Sequence, residues 1–173
     1  RALEKARAEA LHRATHDPLT GLANRALFTE RLEHSPLPLT LLALDLDKFK
    51  AVNDTMGHEA GDELLRHVAA RLNPLVGDSG LVARLGGDEF MVLLWGKVDQ
   101  ESVTTLADAI VRSLREPFRL LNGVANIGVS VGIATAVTDE RKDLVSRADF
   151  ALYDAKESGR NTFRIFDDLK KAA

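Results

Sequence analysis

The sequence predicts an α+β domain: a central mixed, mostly antiparallel sheet flanked by helices. Three observations predict it. A short, nearly continuous apolar run, Leu39 to Leu44, lies between Pro38 and Asp45, as a buried central strand would. Gly86-Gly87 and Asn122-Gly123 each separate two β-type runs, which signals two hairpins. Stretches with apolar residues at helical spacing alternate with these strands.

Arg1 to His16 contains no Gly or Pro and is rich in Ala, Leu, Arg and Glu, a composition that favours helix. Its apolar stripe (Leu3, Ala6, Ala10, Leu11, Ala14) is thin, so it reads equally as a solvated leader helix or as the end of a coiled stalk. Asp17 to Leu22 breaks the chain. Asn24 then reads as the N-cap of a helix over Arg25 to Glu33, ended by Ser35-Pro36-Leu37-Pro38. After the central strand, His58 to Asn73 reads as a helix stopped by Pro74. Gly77 to Gly80 is a turn. Leu81 to Leu85 and Phe90 to Trp95 flank the first hairpin turn. Asp99 to Glu116 is a helix stopped at Pro117. Phe118 to Leu121 and Val124 to Ala136 form the second hairpin, Arg141 to Ser158 is an amphipathic helix ending at Gly159, and Thr162 to Phe166 is a last strand.

The 173 residues suffice for one domain with its own core. An apolar fraction of 45% and a charged fraction of 28% read as globular, and a net charge of −3 offers no broad basic surface for nucleic acid. The absence of cysteine excludes disulfides and thiolate metal sites and is consistent with a cytoplasmic location. No apolar run reaches the roughly 18–20 residues of a membrane span. Arg1 at the start, in place of Met, reads as a piece of a longer protein.

Asp45 and Asp47 stand at the end of the central strand; Asp88 and Glu89 stand on the hairpin tip. If the hairpin pairs beside that strand, carboxylates meet, and like charges a few ångströms apart cannot all stay ionised unaided. A divalent ion relieves this, and oxygen-only ligands favour magnesium over zinc. Asp47 reads equally as a turn cap.

Arg84-Leu85-Gly86-Gly87-Asp88-Glu89-Phe90 resembles the signature of the GGDEF family. Four other stretches resemble that family in the expected order: Asp17 to Arg25, Asp45 to Lys50, Asn53 to Asp62, and Ala151 to Lys156 with Gly159-Arg160-Asn161. The resemblance spans Asp17 to Phe166. It implies a fold akin to nucleotide cyclases and polymerase palms, with a ferredoxin-like core. It divides the chain into a linker or stalk helix at 1–16, a cyclase domain at 17–168 and a tail at 169–173.

The resemblance also implies an activity: condensation of two GTP into cyclic di-GMP with release of two pyrophosphates, at a site formed between two subunits. It implies magnesium, replaceable by manganese, held by Asp45, Asp88 and the Leu46 carbonyl. Asp88, or alternatively Glu89, takes the 3′-hydroxyl proton. Gly86 and Gly87 let the backbone approach the nucleotide. Asn53 and Asp62 read the guanine, with His58 nearby; Asp62 accepts from N1–H and the exocyclic amine at once, which adenine cannot match. Lys50, Lys156 and Arg160 hold phosphates, and Phe49 packs around the site. The implied partners are an upstream sensory domain and a downstream EAL-type domain, towards which Phe166-Asp167-Asp168-Leu169 resembles a junction. The competing reading is a catalytically silent GTP-binding domain that regulates an adjacent phosphodiesterase.

The chain departs from the family in one place. Many members carry an inhibitory product site, Arg-x-x-Asp, before the hairpin; here Gly77-Asp78-Ser79-Gly80 stands there. Without the arginine and the aspartate, strong product inhibition through this surface is not expected.

Overall fold

The computed structural model describes residues 1–138 and 140–167. Its main sheet has five strands: β1 (Leu39–Asp47), β2 (Gly80–Gly86), β3 (Glu89–Trp95), β6 (Gly128–Ala136) and β7 (Thr162–Ile165), in the order β2-β3-β1-β6-β7. β1 is antiparallel to both its neighbours, and only β6 and β7 run parallel. The α+β class is as the sequence predicts.

Side chains alternate along each strand, so each face has its own core. Leu42, Leu44 and Leu46 point to one face, under α4 (His58–Val76) and α5 (Gln100–Arg115). Leu39, Leu41 and Ala43 point to the other, where α2 (Arg25–His34) and α6 (Leu144–Glu157) pack. Leu64, Leu65, Val68, Ala69 and Leu72 form the buried stripe of α4. Asn24 caps α2 by accepting from the Leu27 amide, and Asp99 caps α5 by accepting from the Ser102 amide. α1 (Ala2–Thr15) buries no residue of its own. Among the described residues, no helix is long and apolar enough to cross a membrane.

Four local expectations need correction. Pro74 does not stop α4, which runs on to Val76. A proline in the last turn forfeits only one intrahelical bond, and Leu72 and Val76 on either side of it are buried and hold that turn on the core. Asp47 is followed by a further helix, α3 (Phe49–Met56), for which a turn was expected. Eight residues are too few to show a helical period. The second hairpin is two structures. β4 (Phe118–Leu120) and β5 (Gly123–Ala125) make a separate two-stranded ribbon, and the chain then enters the main sheet as β6. Before α6, residues 140–143 form a 3-10 turn. The expected tail at 169–173 lies outside the described residues, as does most of the junction at Asp168-Leu169.

Candidate active site

Strand register decides which acids meet. On β1, Asp45 lies opposite Glu89 of β3, and the Leu46 amide donates to the Asp88 carbonyl at 3.3 Å. The hairpin tip therefore lies against the end of the central strand. Gly86 (φ +142°) and Gly87 (φ +51°) turn the chain there in conformations that L side chains rarely adopt. The carboxyls of Asp45 and Asp88 lie close enough for the charge of one to act on the other. The Asp88 carboxyl is pushed up to about 6, first by burial and then by the charge of Asp45, with Glu89 adding to it.

Asp47 takes no part in this pair. It is buried, accepts from the Ser130 hydroxyl at 2.8 Å and from the Asn161 amide at 2.9 Å, and so ties β1 to β6 and to the entry of β7. Of the two expectations for Asp47, the structural one fits this geometry.

Lys156 pairs with Asp45 across the gap between α6 and the sheet. Arg160 is not on the same helix as Lys156. α6 ends at Glu157, and Arg160 adopts φ +63° beyond Gly159, so the two cations, four positions apart, do not share one helix face. Glycine at 159 ends the helix before a fourth residue can be added. Lys50 is exposed on α3, and Phe49 is partly buried against the core.

Asn53 lies on α3 and Asp62 on α4, where the two helices pack together. Gly61 allows this closeness: a Cβ there would lie 1.8 Å from Asn53 Oδ1. Asn53 is half-buried, whereas Asp62 and His58 are exposed. His58 opens α4 directly after Gly57.

Two features were not legible as a pair. Arg84 Nη1 donates to Asp17 Oδ1 at 3.0 Å, and its Nε donates to the Gly87 carbonyl at 3.0 Å. The hairpin tip is thereby braced by the loop after α1. Burial works against the Asp17 charge, but bonds from the Thr20 hydroxyl and amide and the Arg84 charge outweigh it and hold the carboxyl below its ordinary value. Both residues stand in motifs, yet 67 positions separate them and nothing local marks their contact. The second feature is a cleft of about 350 Å³ on the α6 side, lined in part by Arg25, Asp45, Glu89, Asp149, Tyr153 and Lys156. Burial and Glu89 raise the Asp149 carboxyl, and Lys156 partly offsets them.

The donor set fits a magnesium-like ion. Two facing carboxylates, one of which already resists ionisation, are relieved by a divalent charge. Among the described residues, no third His, Cys, Asp or Glu completes a cluster, so other coordination positions fall to carbonyl, water or ligand oxygens.

The sequence matches the family described as diguanylate cyclase, GGDEF domain, over residues 14–162. The chain belongs to the GGDEF family. The diguanylate cyclase TpbB of Pseudomonas aeruginosa is 39% identical over 175 residues, covering 94% of this chain and 40% of TpbB. MucR from the same organism, a bifunctional diguanylate cyclase and cyclic di-GMP phosphodiesterase, is 38% identical over 99% of this chain and 26% of MucR. The chain thus spans well under half the length of these curated relatives. Among solved structures, the GGDEF domain of TpbB superposes with a TM-score of 0.84 at 36% identity, covering 91% of this chain and 97% of that one. The coiled coil and GGDEF domain of DgcB from Caulobacter crescentus, in complex with c-di-GMP, gives 0.87 at 31% identity over 95% and 92%.

In the stretch Gly77 to Gly80, where the sequence departs from the family pattern, Gly80 packs so closely that a Cβ would lie 2.3 Å from the Leu93 carbonyl oxygen. Gly77 adopts φ +55°. Local backbone geometry therefore disfavours both charged residues that this chain lacks.

Proposed function

We propose that this GGDEF chain is a diguanylate cyclase that condenses two GTP into cyclic di-GMP and two pyrophosphates, each subunit of a homodimer presenting one GTP. The convergence of Asp45 and Asp88 at the hairpin tip carries this reading. Asp45, Asp88 and the Leu46 carbonyl would hold magnesium, which supplies positive charge to the α-phosphate and to the departing pyrophosphate. Asn53 and Asp62 orient the guanine. Lys156 and Arg160 approach the triphosphate from α6 and the turn beyond it, with Lys50 on α3. Asp88 receives the 3′-hydroxyl proton. Glu89, opposite Asp45, is the alternative acceptor, and Glu89→Gln separates the two. The leader helix at 1–16 connects the cyclase domain at 17–168 to an upstream sensory domain.

The test is incubation with GTP and magnesium, with product separated chromatographically. Because two subunits build one site, turnover is expected to rise faster than linearly with protein concentration. Strictly proportional turnover contradicts a weak-dimer site. Nucleotide binding without product supports the silent regulatory reading; one relative, NbdA of P. aeruginosa, is named a cyclic di-GMP phosphodiesterase.

The guanine subsite has its own test in Gly61→Ala. The added methyl meets the end of the Asn53 side chain, which can swing away at little cost. Alanine also favours helix over glycine by about 1 kcal/mol. The variant is expected to be no less stable than the parent, yet to show a KM for GTP raised about tenfold because Asn53 is displaced. An unchanged KM detaches Asn53 from the nucleotide.

A further inference from the structure

Glu63, His67 and Arg71 recur every fourth residue along α4 and so lie along one side of the helix. The two ends of this polar stripe hold the β4–β5 ribbon. At the ribbon's base, the Arg71 guanidinium donates to the carbonyls of Ser113 at 2.6 Å, Glu116 at 2.9 Å and Pro117 at 2.8 Å, and lies 3.5 Å from the centre of the Phe118 ring. At its tip, Glu63 accepts the Leu121 amide on both carboxylate oxygens, at 2.9 and 3.2 Å. Leu121 lies beyond the last ladder pair, Leu120 with Gly123, so no strand partner competes for that amide. His67, between the two ends, places Nε2 3.7 Å from Glu63 Oε1. Phe118, Leu120 and Ala125 root the ribbon in the core.

The same ribbon touches the preceding helix. A Cβ at Gly123 would lie 3.3 Å from Met56 Cε, so β5 rests on the last residue of α3. α3 and α4 are joined by Gly57 alone, at φ +92°. Glycine accepts a wide range of φ and ψ, so this joint does not by itself fix the angle between the two helices. The ribbon spans the joint, with Met56 on one side and Glu63 on the other. Asn53 stands one turn before Met56, and Asp62 directly precedes Glu63. Their separation follows the angle of the joint.

We propose that Glu63 is a positioning residue for GTP: by pinning the ribbon across the α3–α4 joint, it holds Asn53 and Asp62 at the spacing that one guanine requires. The inference rests on the guanine role given to those two residues above. Glu63 acts through the Leu121 amide and not on the nucleotide. Charge alone predicts the opposite effect. Removing a carboxylate one residue from Asp62 lowers the negative potential near an anionic triphosphate and should tighten GTP binding. Removing the acceptor that holds the ribbon should loosen it. The direction of the change therefore separates brace from charge.

The test compares the parent with Glu63→Ala and Glu63→Gln in calorimetric binding of a GTP analogue whose α,β-bridge is a methylene group, and in turnover of GTP. Glu63→Ala should raise both the analogue Kd and the KM for GTP about fivefold and leave kcat within about twofold of the parent. Glu63→Gln keeps an oxygen for the Leu121 amide and drops the charge, so it should keep the parental Kd or tighten it. Hydrogen exchange at the Leu121 amide should be faster in Glu63→Ala and parental in Glu63→Gln. Parental affinity in Glu63→Ala overturns the proposal. Equal weakening in both variants overturns it too, because the effect then follows the charge. A parent that binds no analogue overturns the guanine reading and this inference with it. If the parent binds and makes no product, the Kd comparison decides this inference while the cyclase reading fails separately.

Discussion

Replacing Asp88 by asparagine is expected to lower product formation at least a hundredfold while making the metal-free protein more stable above pH 6. The two effects have one cause. The Asp88 carboxyl is pushed from 3.8 to about 6 by burial beside Asp45 and Glu89. The folded state therefore binds this proton more tightly than the unfolded chain does. The stability that the proton confers is fully present below about pH 4 and is lost as pH rises through about 6. Two units correspond to about 3 kcal/mol before screening; for a half-buried group this falls to about 1–2 kcal/mol. Asparagine keeps the shape and removes the charge. In chelator, urea unfolding should show the parent losing stability between pH 4 and pH 7 and Asp88→Asn holding it. Magnesium should restore the parent at pH 8, because ion and proton compete for the same oxygens, and should leave the variant unmoved. The loss in rate, equivalent to about 3 kcal/mol of transition-state stabilisation, follows from removing a charged ligand. A variant as unstable as the parent at pH 8 contradicts the electrostatic account of the pair.

What could be read from the sequence depends on how far each signal extends along the chain. The apolar run at Leu39 to Leu44 announces the central strand because burial on both faces leaves a single polar position, Thr40, whose hydroxyl pairs with that of Thr135. The meeting of Asp45 with Asp88 is legible only through the hairpin. Once Gly86-Gly87 is read as its turn, β3 needs a partner, and the most apolar strand is the natural one. Asp47 shows the limit. Its spacing from Asp45 is the same as that of a second metal ligand, but alternation puts both on one face and leaves the choice to what β6 and β7 bring, and they bring Ser130 and Asn161. No local pattern records contacts across 83 and 114 positions. α3 and the splitting of the second hairpin were missed for a different reason: their pieces are shorter than the period needed to recognise them.

Gly132→Ala is expected to be the most damaging small substitution away from the acids, and it sets propensity against packing. Glycine in the middle of a strand is usually a weakness, so propensity alone predicts a gain of about 0.5–1 kcal/mol from alanine. At Gly132, however, an added Cβ would lie 2.1 Å from the Ala148 carbonyl oxygen and 2.2 Å from the Leu152 nitrogen. Both are backbone atoms of α6, so no side chain can rotate away and the helix itself must lift from the sheet. Overpacking of this kind costs about 3 kcal/mol. The displacement also carries function, because Lys156 lies one turn beyond Leu152 and pairs with Asp45. A lifted α6 draws the cation from the acid pair, so KM for GTP should rise several-fold along with the loss of stability. Gly21→Ala is the matched control: Gly21 has φ +74° but open space around it, so alanine there meets backbone strain alone, about 1 kcal/mol. Urea unfolding of the two variants separates strain from collision. If Gly132→Ala unfolds within 1 kcal/mol of the parent, α6 is free to shift on the sheet, and the rigid placement of Lys156 against Asp45 no longer holds.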